Sequence, residues 1–321
     1  MIEPLKYDLD FEQSLMELAE RIHLMRQEGG EMENPVQIEA AMEELRSRTQ
    51  EIYANLTAWQ TVQVARHKER PRASDYICMI CDEFLELHGD RAFGDDPALI
   101  GGLASFNHET VIILAHQKGR DARDQQFRNF GMPHPEGYRK AYRLMQMAGK
   151  FKFPVICFID TPGAFPGLPD EERGQAEAIA SNLALMARLP VPIIAVVIGE
   201  GGSGGALGIS VADCLLMLEH SVYTVAAPEA AASILWRDNA FAPQAAEAMH
   251  ISARELLSTG IIDGIIPEAV GGAHRNPSLT AGNLRTALKE HLQDLKQYPA
   301  RTLVEMRYQK FRTIGPFSRV V

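Results

Sequence analysis

The chain has 321 residues, of which 46% are apolar, and a formal net charge of −10. That apolar share fills one large α/β domain or two small ones. The acidic balance argues against nucleic-acid binding through bulk charge. Apolar runs stop at strand length, short of the roughly 20 residues of a membrane helix. The start lacks the charged segment, apolar core and small-residue cleavage site of a secretory leader, so a cytoplasmic protein is expected.

Residues 1–70 are expected to form a helical arm. Phe11, Leu15, Leu18, Ala19, Ile22 and Met25 follow helical spacing. Gly29 and Gly30 stop that helix, and Pro35 opens the next. Ile38, Leu45, Ile52 and Trp59 recur every seven residues, half of a heptad seam. That predicts a helical hairpin packed on a partner or on the main domain, not a coiled coil. Nothing over 10–66 looks catalytic.

The main domain is expected over 71–296. A short helix over 74–87 carries Cys78 and Cys81. Cys-x-x-Cys invites a zinc or redox reading, but no second pair completes a zinc site, so no metal is expected. The spacing of Tyr76, Ile77, Ile80 and Phe84 predicts a core helix instead. Cys157 and Cys214 sit in strand-like runs, as thiols do when used as small hydrophobes in a reducing compartment. A loop over 89–97 follows. Strands at 99–105 and 110–116 predict a hairpin around Asn107-His108-Glu109. A polar loop over 117–136 holds Lys118, Arg120, Arg123 and Arg128, and a helix runs from 137 to 150.

Two strand-then-glycine units come next. The strand 154–159 enters Asp160-Thr161-Pro162-Gly163-Ala164-Phe165-Pro166-Gly167 and then a helix at 171–188. The strand 192–198 enters Gly199 to Gly208, where six of ten residues are glycine, and then a helix at 204–212. Short strands at 214–218 and 222–225 follow, then helices from Pro228 to Trp236 and from Pro243 to Met249. Ser252 with Glu255 reads as a capping box, and Gly260 ends that helix. A strand at 261–268 and helices at 278–296 and 300–312 close the chain, with 297–321 as C-terminal helix and tail. Strands alternating with helices imply right-handed crossovers over a mostly parallel sheet.

Glycine turns after buried strands bring backbone N–H groups close to a ligand. Two such turns on neighbouring strands can aim donors at one oxygen, an oxyanion hole made of main chain. The Gly204 and Gly205 amides, at a helix start, are the first pair; Gly163 and Ala164 are the second. Gly201, Gly202 and Ser203 line the same turn. For one glycine turn alone, close helix–sheet packing is the commoner reason. Glu200, between the glycines, has two readings: a catalytic group, or a hydrogen-bonding one that orients the turn.

Long blocks then carry a resemblance. His116-Gln117-Lys118-Gly119-Arg120, Asn129-Phe130-Gly131-Met132-Pro133, Pro135-Glu136-Gly137-Tyr138-Arg139-Lys140, Ile159 to Ala164, Ile198 to Ala206, Ser233-Ile234-Leu235-Trp236 and Gly271 to Asn276 appear in order. They resemble the alpha subunit of bacterial acetyl-CoA carboxylase carboxyltransferase, from about residue 5 to residue 295; the segment after 300 matches poorly. The resemblance implies an α/β, crotonase-like fold, a superhelix of repeated ββα turns behind the N-terminal arm. It implies a beta subunit of the same fold, in an alpha2beta2 assembly, with a zinc ribbon this chain lacks. It implies transfer of a carboxyl group from carboxybiotin to acetyl-CoA, giving malonyl-CoA for fatty-acid synthesis. Carboxybiotin is presented by the biotin carboxyl carrier protein, which biotin carboxylase charges, so no cofactor is bound covalently here. On that reading the released ureido group removes the methyl proton, no side-chain base is needed, and the thioester sits mainly on the beta subunit. Lys118, Arg120, Arg139, Lys140 and Arg143 are then candidates for CoA phosphates or the beta subunit, against the plain reading of a solvated face. One departure stands out. The family has a glycine and a small residue after Pro-Glu, where this chain has Pro228-Glu229-Ala230-Ala231.

Two rivals remain at this point. Gly201-Gly202-Ser203-Gly204-Gly205 also fits Gly-x-Ser-x-Gly, a hydrolase nucleophile elbow, with Asp263 and His274 in triad order. A non-catalytic scaffold subunit is the other. His274-Arg275, in a Gly/Asn/Pro loop, reads as interface or turn structure.

Overall fold

A computed structural model describes residues 7–28 and 35–315. The Gly29-Gly30 stop lies outside them. The arm begins with a 3-10 turn, Asp10–Glu12, and helices α1 (Gln13–Glu28), α2 (Pro35–Ala54) and α3 (Ala58–Ala65). α1 and α2 pack through Leu15, Leu18, Ile22, Ala41 and Leu45. The arm lies on the main domain: Ala58, Val62 and Ala65 of α3 pack with Val222, Ala246 and Ile251. Glu12, buried, accepts from Tyr53 Oη at 2.7 Å and from Arg275 Nη2 at 2.8 Å. Arg70 donates to Ile198 O at 2.8 Å and forks onto buried Glu268.

Next come α4 (Ala73–Ile80), β1 (Glu83–Glu86), β2 (Leu99–Phe106), β3 (Glu109–His116), α5 (Ala122–Phe127), α6 (Pro135–Phe151) and β4 (Val155–Thr161). Then α7 (Leu168–Glu172), α8 (Gln175–Met186), β5 (Ile193–Gly202), α9 (Ser203–Leu207), β6 (Cys214–Leu218) and β7 (Val222–Thr224) follow. The last elements are α10 (Pro228–Trp236), α11 (Ala242–Ala248), α12 (Ala253–Ser258), β8 (Gly264–Ile266), α13 (Pro277–Leu295) and α14 (Ala300–Arg312).

The strand order is β1-β2-β3-β4-β5-β6-β8, with β7 on the far end of β5. β1, β2 and β3 pair antiparallel, and from β3 onward every pairing is parallel. The central strands β4, β5 and β6 are buried along their whole length because both faces are covered. Their period of two splits the core. Val155, Cys157, Ile159, Ile193, Ala195 and Val197 pack under α6 and α8 with Tyr138, Leu144 and Met186. Ile156, Phe158, Ile194, Val196 and Ile198 face α4 and α13 with Tyr76, Leu284 and Leu288.

Several expected elements are corrected. The helix expected over 74–87 ends at Ile80, because Cys81 turns extended and Asp82 N–H bonds Ser105 O at 2.9 Å. Residues 83–86 then add a strand to β2. Cys78 is exposed and Cys81 half-buried, so the pair is not core, whereas Cys157 and Cys214 are buried. The helix expected at 171–188 is two, broken at Gly174 with φ +82°. The strand expected at 261–268 keeps three residues. The strand expected at 192–198 runs on to Gly202, and the helix expected at 204–212 is the five-residue α9. Its dipole adds correspondingly little to the glycine turn.

Candidate active site

The glycine-rich segment is strand before it is turn. Gly201 pairs with Thr161 of β4 on one side and with Tyr223 of β7 on the other. The chain then turns at Ser203, exposed and at φ +54°. That backbone is uncommon for a residue with a Cβ, and such residues gather at functional sites.

The two glycine turns meet. A Cβ on Gly205 would lie 2.4 Å from the Gly163 carbonyl carbon and 2.5 Å from the Ala164 nitrogen. A Cβ on Gly202 would lie 2.2 Å from Pro162 O. Only glycine allows this approach. Gly204 differs, since its Cβ would meet only Ile179 Cδ1, at 3.9 Å. The Gly204, Gly205 and Ala164 amides donate to no acceptor among the described residues. Gly163 is a correction to the expected set: its N–H is 3.1 Å from Thr161 Oγ1, whose hydroxyl in turn donates to Gly163 O at 2.7 Å. Thr161 thus holds the β4 turn closed on itself. Tyr138 Oη donates to Gly205 O at 3.1 Å and fixes the opposite face of that peptide.

Below the turns lies a chain of charges. Lys118 Nζ stands 2.8 Å from Asp160 Oδ1 and 2.6 Å from Glu200 Oε2. Arg66 reaches Glu200 Oε1 at 2.6 Å and Glu229 Oε1 at 2.5 Å. Burial opposes ionisation of Glu200, but Lys118 and Arg66 outweigh it and hold its carboxyl down at about 2. Arg66, at the end of the helical arm, thus ties the arm to this charge chain. Arg66, Asp160, Thr161 and Glu229 were all missed. The signal was Glu200 itself, since a carboxylate inside a buried strand requires cations beside it.

The other candidates are dispersed. Lys118 is nearly buried between two carboxylates, not on a phosphate-binding surface. Arg120 is exposed and paired with Asp75. Arg139 donates to Arg173 O at 2.5 Å and flanks Glu177. Lys140 is buried against Asp95 and Asp96 O, and Arg143 donates to Gly89 O at 3.2 Å. His274 stacks on His67 with ring centroids 3.9 Å apart. Ala230 is in the first turn of α10 and is not among the residues with positive φ, so the departure there is accommodated.

The triad reading fails. Asp263 accepts from Leu215 N–H at 2.6 Å and pairs with Lys310. Leu215 lies opposite Ala195, at the start of β5. Ser203 follows the other end, on the order of 20 Å along the strand once the two surplus residues between Val197 and Gly201 are allowed for.

The fold is that of crotonase-like carboxyltransferases and their relatives. Transcarboxylase 12S, with methylmalonyl-coenzyme A and methylmalonic acid bound, superposes with a TM-score of 0.56 at 22% identity, over 69% of this chain and 42% of that one. The chain thus spans about two fifths of that transcarboxylase chain. A Pseudomonas malonate decarboxylase hetero-tetramer in complex with coenzyme A gives 0.55 at 21% identity, over 67% of this chain and 86% of that one. The family profile described as acetyl co-enzyme A carboxylase carboxyltransferase-like matches residues 8–315. The acetyl-coenzyme A carboxylase carboxyl transferase subunit alpha of Heliobacterium modesticaldum is 55% identical over 96% of this chain and 92% of its own. That of Methylococcus capsulatus is 52% identical over 97% of both. The chain belongs to this alpha-subunit family. The match through residue 315 also corrects the expectation that likeness ends near 295. Among the described residues, no helix is long and apolar enough to cross a membrane, and no three His, Cys, Asp or Glu are placed to hold a metal ion.

Proposed function

We infer that this chain is the alpha half of an acetyl-CoA carboxylase carboxyltransferase and that the meeting of its two glycine turns receives carboxybiotin. One observation carries the reading: Gly205 sits against Gly163–Ala164 with the Gly204, Gly205 and Ala164 amides unengaged. Donors fixed in advance around a developing negative charge are worth about 3–4 kcal/mol each by analogy with oxyanion-hole deletions. Carboxybiotin supplies the carboxyl group and, through its ureido nitrogen and oxygen, the base for the methyl proton. This chain's residues bind and orient: Gly204 leaves space for the ring, the amides face its oxygen, and Thr161 and Tyr138 hold the peptides in place. Gly201, Gly202 and Ser203 complete the wall. Arg120 and Arg139 remain the exposed and half-exposed cations available to acetyl-CoA phosphates or the partner.

An alpha subunit implies a beta-subunit partner, and α10 offers it a surface. Ile234, Leu235 and Trp236 are exposed there, as is Val225 nearby. An apolar patch of that kind marks an interaction site. The finer assembly is read as alpha2beta2, with zinc on the beta subunit, served by the biotin carboxyl carrier protein and biotin carboxylase in the cytoplasm. The test is titration of the purified chain with its beta partner while malonyl-CoA formation is followed with carboxybiotinylated carrier. Activity is expected to be absent for the chain alone and to saturate at one partner per chain. Full activity of the isolated chain would sink the half-site reading.

A further inference from the structure

β5 does not pair with β4 in constant register. Ile159 lies opposite Val197, but Thr161 lies opposite Gly201. Asp160 alone thus spans the interval filled on β5 by Ile198, Gly199 and Glu200. Two surplus residues enter one strand, and the placement of everything from Gly201 to Gly205 depends on that shift. Irregularities of this kind re-aim chain beside active sites.

Side chains hold the interval. Asp160 Oδ1 accepts the Glu200 N–H at 3.0 Å and occupies the space a side chain at 199 would need, 2.4 Å from a Cβ there. Lys118 ties Asp160 to Glu200, and Arg66 takes the remaining Glu200 oxygen. Both carboxylate oxygens are therefore engaged, which leaves Glu200 no free oxygen to act as a base. Burying charges costs desolvation energy, and an unshifted apolar ladder would need none of them.

We propose that Glu200 is a positioning residue for the glycine hole: clamped between Lys118 and Arg66, it holds the two-residue shift of β5 and thereby sets where the Gly204 and Gly205 amides stand against Ala164. The proposal rests on reading that hole as the carboxybiotin site. Misplacement of binding groups by about 1 Å costs on the order of 10²-fold in rate, so a small relaxation of the shift is enough to matter.

The test uses the full chain reconstituted with its beta partner and carboxybiotinylated carrier. Glu200→Gln keeps the shape and removes the charge. The expected result is a kcat per assembled pair lower by about 30-fold, with KM for acetyl-CoA within about two-fold, since the thioester rests mainly on the partner. Arg66→Lys keeps the charge but loses the bridge between Glu200 and Glu229; a fall of about five-fold in kcat is expected. A merely structural role would lower the assembled fraction and leave kcat per assembled pair unchanged, which overturns the proposal. So does a Glu200→Gln kcat within two-fold of the parent. If Glu200→Gln does not fold, Arg66→Lys decides, and full kcat in it overturns the proposal. Gly204→Val run alongside separates two failures. An active Gly204→Val rejects the hole itself; an inactive one beside a fully active Glu200→Gln rejects only the positioning role.

Discussion

Gly204 and Gly205 are neighbours with opposite constraints. The Gly205 Cα faces backbone, with the Gly163 carbonyl carbon 2.4 Å from a built Cβ; the Gly204 Cα faces space. Backbone atoms cannot step aside as a flexible side chain can. Gly205→Ala is therefore expected to lose about 1–3 kcal/mol of stability, the usual cost of overpacking. Gly204→Ala should stay within about 0.5 kcal/mol, because it sits in α9 at no reserved φ. Urea unfolding of the two variants checks this. Equal midpoints would mean that the two turns are not in contact. Read as sequence, the two residues are alike, and both were taken as donors to one oxygen. Gly163 looked equally free, yet a hydroxyl two residues back occupies its amide. A residue's own neighbours decide such points, and spacing does not record them.

At the scale of elements, apolar periodicity carried most of the fold. The strands expected at 154–159 and 192–198 form the first parts of β4 and β5, and the hairpin of β2 with β3, α13 and α14 lie where the pattern put them. These elements bury one face or both, so their composition records their setting. The failures have a common cause. β1 has no buried residue, and its strand state comes from pairing with β2, which no local pattern shows. Gly199 to Gly202 carry almost no side chain, so their strand state is set by β4 and β7 alone. The charge chain below the site joins Arg66, Lys118, Asp160, Glu200 and Glu229 from five separate segments, and only Glu200 betrayed it in sequence. The C-terminal α14 shows the same limit. Arg307 is buried, forks onto Asp213 at 2.7 and 2.9 Å, and donates to the Leu189 and Val191 carbonyls, an anchorage that the helical pattern over 300–312 did not show.

The whole molecule carries its buried charges and imidazoles into a pH dependence. Burial lowers His116, His220 and His274, taking His116 to about 3 and His274 to about 2. The unfolded chain binds these protons near 6.5 and the native one does not. Their contribution is thus full above about 6.5 and is lost as pH falls below it, at up to about 1.4 kcal/mol per unit for each. Glu200 and Glu268 add a second loss. Burial opposes their ionisation, but Lys118 and Arg66 in one case and Arg70 in the other hold both near 2. That stability is full above about 4.5 and is lost as pH falls toward 2. Denaturant midpoints are expected to decline from pH 7 to pH 5 and more steeply below 4.5. A flat profile between 7 and 5 would contradict the burial of the three imidazoles.

The central claim is that the reaction runs on main-chain amides of the β5 turn and not on the Ser203 hydroxyl. The most direct measurement is malonyl-CoA formation by the reconstituted pair carrying Ser203→Ala or Gly204→Val, with assembly verified for each. Ser203→Ala is expected to stay within about three-fold of the parent, and Gly204→Val to lose on the order of 10²-fold or more with its fold intact, since a branched side chain enters the space before the donors. Loss of the reaction in Ser203→Ala, with Gly204→Val still active, would contradict the account.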